Sequence, residues 1–168
     1  MSPQILENAF RRLDFDRELV YKYFVSFSLF EKALKETGFI KPSDNNSANP
    51  DWEKFAHSIE DQFSARLNTH ENHELMTAVN YLVNHPPRKQ IISQTNRLIF
   101  DRRPQTPDNS PTVWLSILIR RVRNNLFHGA KFSFDRPRDT LLIQFSLVIL
   151  EEWANLNRDI TRILHEVT

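Results

Sequence analysis

The sequence predicts an all-α fold, a helical bundle of about five helices with one long proline-rich basic insertion. Two observations predict it. Only two of the 168 residues are glycine, which argues for helices over strands and tight hairpins. Apolar residues recur at three- and four-residue spacing along most of the chain, the mark of helices with one buried face. No internal repeat, low-complexity tract or composition break divides the chain, so residues 1–168 are expected to form a single domain.

The first helix is expected over residues 18–36. There Val20, Phe24, Phe27 and Leu34 form an apolar stripe, and Gly38 supplies a left-handed stop. Residues 41–51, KPSDNNSANPD, read as a polar loop rich in turn formers. Two helices follow over 52–67 and 74–83, joined or broken around 68–73, and Pro86-Pro87 ends the second. Residues 84–111 hold five prolines and read mainly as irregular chain. Ile91-Ile92 and Leu98-Ile99-Phe100 can pin that segment to the body as short strands or turns. A helix over 112–128 is N-capped by Ser110, with Pro111 at its first position. The final helix spans 138–164, with a break expected near 155–157.

With 40% apolar residues and 13 phenylalanines the chain can bury a substantial core. Its 22 basic and 21 acidic residues nearly cancel, but they are unevenly spread. Residues 51–74 carry six acids against two bases, and residues 88–103 carry five bases against one acid. A near-neutral protein with segregated charge can still offer a cationic face to a polyanion. The absence of cysteine excludes disulfides, thiol catalysis and cysteine-ligated zinc, and fits the cytoplasm. Residues 1–18 carry charges throughout and do not read as a signal peptide; no apolar run is long enough to span a membrane.

The most informative stretch is Arg123-Asn124-Asn125-Leu126-Phe127-His128, followed by Gly129. Arginine grips phosphate with a planar fork, and histidine can give or take a proton near neutral pH. Together they suffice to cut a phosphodiester without a metal ion. Residues 109–134 contain no acid but hold Arg120, Arg121, Arg123, His128 and Lys131. On a helical wheel Leu115, Leu118, Ile119, Val122 and Leu126 share one face. Arg120, Arg121, Arg123, Asn124, Asn125 and His128 fall on the opposite half. Arg123 and His128 lie about 140° apart with Asn124 between them, so one helix alone makes a thin site. The plainer reading is a solvated helix face with His128 as a C-terminal cap.

The Arg-Asn-x-x-x-His pattern, in the context RRVRNNLFHGAKF, resembles the signature of the HEPN superfamily. The upstream helix YFVSFSLFEKALKETGF is similar to bacterial members of that superfamily as well. The resemblance implies a HEPN-like bundle and a metal-independent endoribonuclease that needs no cofactor and acts by internal transesterification. It implies Arg123, His128 and Asn124 as catalytic residues, Arg120, Arg121 and Lys131 as substrate contacts, and Glu31 in support. It also implies a homodimer with facing motif helices and the site at its interface. RNA is then the substrate, a toxin or defence role the setting, and an antitoxin or regulatory protein the restraint. Some toxin members carry a modifiable tyrosine two residues after the histidine; here that position is Ala130. Two other functions compete: a non-catalytic HEPN module binding RNA, a nucleotide or a partner protein, and a purely structural helical subunit.

Glu31 falls within the first helix's apolar stripe and has two readings. It either forms an ion pair that orients Arg121 or Arg123, or sits at the stripe edge, reaching solvent or pairing with Lys35. HENHE, residues 70–74, places His70 and His73 three apart with no third ligand evident, and reads as a polar inter-helix loop. Arg88, Lys89, Arg97, Arg102 and Arg103 form either an RNA backbone track or a plain solvated insertion. Trp114, Trp153 and the phenylalanines read as core or dimer contacts.

Overall fold

The computed structural model describes residues 4, 8, 16–43, 45–69, 72–101, 110–127 and 136–166. Among these lie six helices: α1 (Arg17–Glu36), α2 (Trp52–Leu67), α3 (His73–Asn84), α4 (Pro111–Phe127), α5 (Arg136–Asn155) and α6 (Arg158–Glu166). Two small antiparallel hairpins join them: β1 (Ile40–Pro42) with β2 (Ala48–Pro50), and β3 (Gln90–Ile92) with β4 (Leu98–Phe100). The expected helical bundle is present. No helix among the described residues is long and apolar enough to cross a membrane.

Local chemistry sets the helix ends. Asp16 caps α1 by accepting from the Leu19 N–H, and Asp51 caps α2 by accepting from Lys54 N–H. At the far end of α1, Phe39 N–H reaches Leu34 O and Gly38 N–H reaches Lys35 O. This paired C-terminal closure needs a left-handed residue, and Gly38 supplies it at φ 86°. Ser110 caps α4: its Oγ accepts from Val113 N–H and donates to Glu60 of α2. The expected break in the last helix falls at Asn157, whose Oδ1 accepts from Asp159 and Ile160 N–H and starts α6.

Helix α5 packs against α3 and α1, α4 against α2, and α6 closes over α1 and α5. The core is aromatic. Trp153 of α5 meets the edges of Phe55 and Phe63 from α2 at ring distances of 5.9 and 5.8 Å. Phe30 of α1 stacks on Trp52 at 5.3 Å. Edge-to-face and offset contacts of this kind add to the gain from burial.

Three expectations need correction. The 41–51 segment is a hairpin, with Lys41 opposite Asn49. Asn46 takes the left-handed turn at φ 58°, and the Ser43, Asn45 and Ser47 side chains tie the loop together. Its strands are too short and polar to show an alternating pattern. The α1 stripe is also rotated: Phe24 is 47% exposed, while Tyr23, Phe27, Phe30, Ala33 and Leu34 are buried. Apolar side chains surround most of α1, so spacing alone does not choose a face. Tyr23 is buried because its hydroxyl finds the Ile119 carbonyl at 2.9 Å. The third correction concerns Asn125, which is buried rather than on a solvated face. Its Nδ2 donates to the Arg88 carbonyl at 3.1 Å and fastens the 85–101 segment to α4. Ile91-Ile92 and Leu98–Phe100 form short strands, one of the two alternatives expected, but they pair with each other and leave Ile92, Leu98 and Ile99 exposed.

Candidate functional site

The polar face of α4 opens onto a cleft of about 280 Å³. It is lined by Arg120, Arg123 and Asn124 of α4, by Lys41, Asn49 and Pro50 of the first hairpin, and by Phe27, Glu31 and Trp52. The site is built from the bottom up by aromatic packing. Phe27 meets Trp52 at 5.3 Å, and the Arg123 guanidinium lies over Phe27, 5.7 Å from the ring centre. One Arg123 nitrogen, Nη1, also donates to Asn124 Oδ1 at 3.1 Å. Its other nitrogen donors make no hydrogen bond among the described residues.

Tyr23 fixes the floor. Its bond to Ile119 O ties α1 to α4 one turn before Arg123. Burial pushes the phenol well above its ordinary pKa, against the smaller pull of the Ser146 hydroxyl and the Arg123 charge. Tyr23 therefore stays protonated and acts as a strut.

Glu31 meets neither expectation in full. Its Oε1 accepts from the Trp52 indole N–H at 3.1 Å, and it forms no ion pair with Arg121, Arg123 or Lys35. The carboxylate nonetheless stands in the same cleft as Arg123. Spacing in the sequence gives no sign of the indole donor, since Trp52 lies 21 residues away, across the first hairpin.

The remaining candidates divide. Arg120 joins Arg123 and Asn124 in the cleft. Arg121 does not line it: its guanidinium lies over the Trp114 ring at 5.2 Å, near the Asp101 carboxylate. Partial burial lowers the Arg121 pKa and Asp101 opposes that shift, so the side chain remains a cation. His128 and Lys131 lie outside the described residues, as do Ala130, His70, Arg102 and Arg103. Lys41 and Asn49 were missed by reading the sequence. Their segment carries no motif, and only the fold brings it beside α4.

Among the described residues Lys41, Arg120 and Arg123 give the cleft three positive charges against the one carboxylate of Glu31. Such a surface attracts anions, and its amide and guanidinium donors suit phosphate oxygens. Among the described residues no group of three or more His, Cys, Asp or Glu side chains could hold one metal ion. No family model, curated protein or solved structure matches the chain.

Proposed function

We propose that this protein is a metal-independent endoribonuclease of the HEPN type, acting in the cytoplasm as a toxin or defence effector. One observation carries the reading: Arg120, Arg123 and Asn124 of the motif helix converge on one cleft with an excess of positive charge. In the proposed reaction a ribose 2′-hydroxyl loses its proton and its oxygen attacks the adjacent phosphorus. The bond to the 5′-oxygen breaks and that oxygen takes a proton. Arg123 stabilises the charge that develops on the phosphorane oxygens. His128 acts as general base or acid. Asn124 orients Arg123 through the Nη1–Oδ1 bond. The products are a 2′,3′-cyclic phosphate and a 5′-hydroxyl. Pairing of two motif helices in a homodimer supplies both an acid and a base, and an antitoxin or regulatory protein restrains the activity.

The test is RNA cleavage in EDTA by wild type, Arg123→Ala and His128→Ala. Activity in the wild type alone, with the helical circular dichroism signal equal in all three, supports the proposal. Equal activity in all three contradicts it. A second reading, a non-catalytic HEPN module that binds RNA, a nucleotide or a partner protein, has one observation in its favour. The cleft is lined by lysine, arginine and amide side chains, groups that hold an anion without reacting with it.

A further inference from the structure

The cleft has a second wall that the Arg–His motif does not account for. Lys41 and Asn49 face each other across the β1–β2 ribbon, so both side chains leave the same face of it. Both residues line the same cleft as Arg120 and Arg123. The wall is firmly mounted. Asp51 N–H bonds to Phe39 O at 2.8 Å at the ribbon's base. Phe39 in turn packs edge-on against Phe55 of the core at 5.4 Å. Lys41, Asn49 and Arg120 make no side-chain hydrogen bond or ion pair among the described residues. Among the described residues their donors are thus left for a ligand in the cleft. Glu31, the one carboxylate that lines the cleft among the described residues, has an oxygen engaged by Trp52 and neutralises at most one of the three cations.

We infer that Lys41 and Asn49 hold a backbone phosphate of single-stranded RNA next to the linkage that Arg123 faces. The identity of the ligand as RNA rests on the function proposed above; the cationic second wall does not. At about 280 Å³ the cleft falls below the ~300–1,000 Å³ of sites for drug-sized ligands. It suits a short stretch of an extended strand, one ribose with the phosphate on either side of it. Lys41 supplies a point charge to the phosphate and Asn49 an amide donor to a phosphate or ribose oxygen. The site thereby gains a grip on the strand that does not depend on the reacting groups.

The experiment measures binding apart from cleavage. A fluorescent 2′-O-methyl oligonucleotide cannot be cut through its 2′-oxygen. Its affinity for the full chain is measured in EDTA from low to high salt, by anisotropy. The variants are Lys41→Ala, Lys41→Arg, Asn49→Ala and, as a surface control, Lys32→Ala, with circular dichroism to confirm folding. Lys41→Ala is expected to weaken binding roughly fivefold at low salt and to reduce the slope of log affinity against log salt by about 0.7. Lys41→Arg restores most of both, Asn49→Ala weakens binding with little change in slope, and Lys32→Ala changes neither. A Lys41→Ala protein that behaves like Lys32→Ala overturns the inference, even where ordinary RNA is cut. Wild type that binds mononucleotides but not the oligonucleotide also overturns it. Loss of affinity in Lys41→Ala without any cleavage of ordinary RNA by wild type sustains the second wall and removes only the nuclease reading.

Discussion

The Tyr23 hydroxyl donates to the Ile119 carbonyl across 96 residues of sequence and fixes the motif helix to α1 four residues before Arg123. Arg123 then lies over Phe27, one turn along α1 from Tyr23, and both helices present polar groups to the same cleft. The position of the candidate site therefore depends on a buried bond as well as on the motif.

Tyr23→Phe keeps the ring and removes the bond, so it should cost about 1 kcal/mol at neutral pH. The cost should shrink at high pH. Burial raises the phenol pKa in the folded protein, so above the ordinary tyrosine value of about 10 the unfolded chain ionises first. Wild type loses that stability as pH rises, and the phenylalanine variant does not. Urea midpoints at pH 7 and pH 11 check this; a gap that stays constant contradicts it.

Asn125→Ala should release the 85–101 segment by deleting its bond to the Arg88 carbonyl. The expected loss is about 1 kcal/mol, the net worth of one part-buried hydrogen bond. Amide exchange should quicken in β3 and β4 more than in α2. Uniform quickening, or none, would show that the amide does not fasten the insertion.

Glu31→Gln keeps an oxygen that accepts from Trp52 and removes the one negative charge that lines the cleft among the described residues. RNA should bind roughly two- to fivefold more tightly at low salt, with the difference fading as salt screens it. Unchanged affinity at low salt would place the bound strand elsewhere on the surface.

The helices were legible because capping residues and apolar spacing coincide, as at Ser110-Pro111 and at Gly38. The choice of buried face on α1 was not legible, since Tyr23 and Phe24 are adjacent aromatics and the more polar Tyr23 is buried through a bond to the distant Ile119 carbonyl. Arg120, Arg123 and Asn124 could be grouped from the helical wheel alone. Lys41 and Asn49 could not, because a polar hairpin leaves no periodic signature and its approach to α4 is purely tertiary. The engagement of Glu31 by Trp52 and the burial of Asn125 also depend on contacts distant in sequence.

The homodimer proposal predicts a solution mass twice the 19.9 kDa of the chain. Light scattering at micromolar concentration measures it. A strict monomer that still cuts RNA would mean that a single Arg–His pair suffices.

The chemistry of the cut ends tests the central claim most directly. RNA treated with the wild-type protein in EDTA should carry 2′,3′-cyclic phosphate and 5′-hydroxyl ends by mass spectrometry. Those ends should be absent after treatment with Arg123→Ala. The 5′-phosphate ends of a metal-assisted hydrolysis, appearing only when magnesium or manganese is added, would contradict the account.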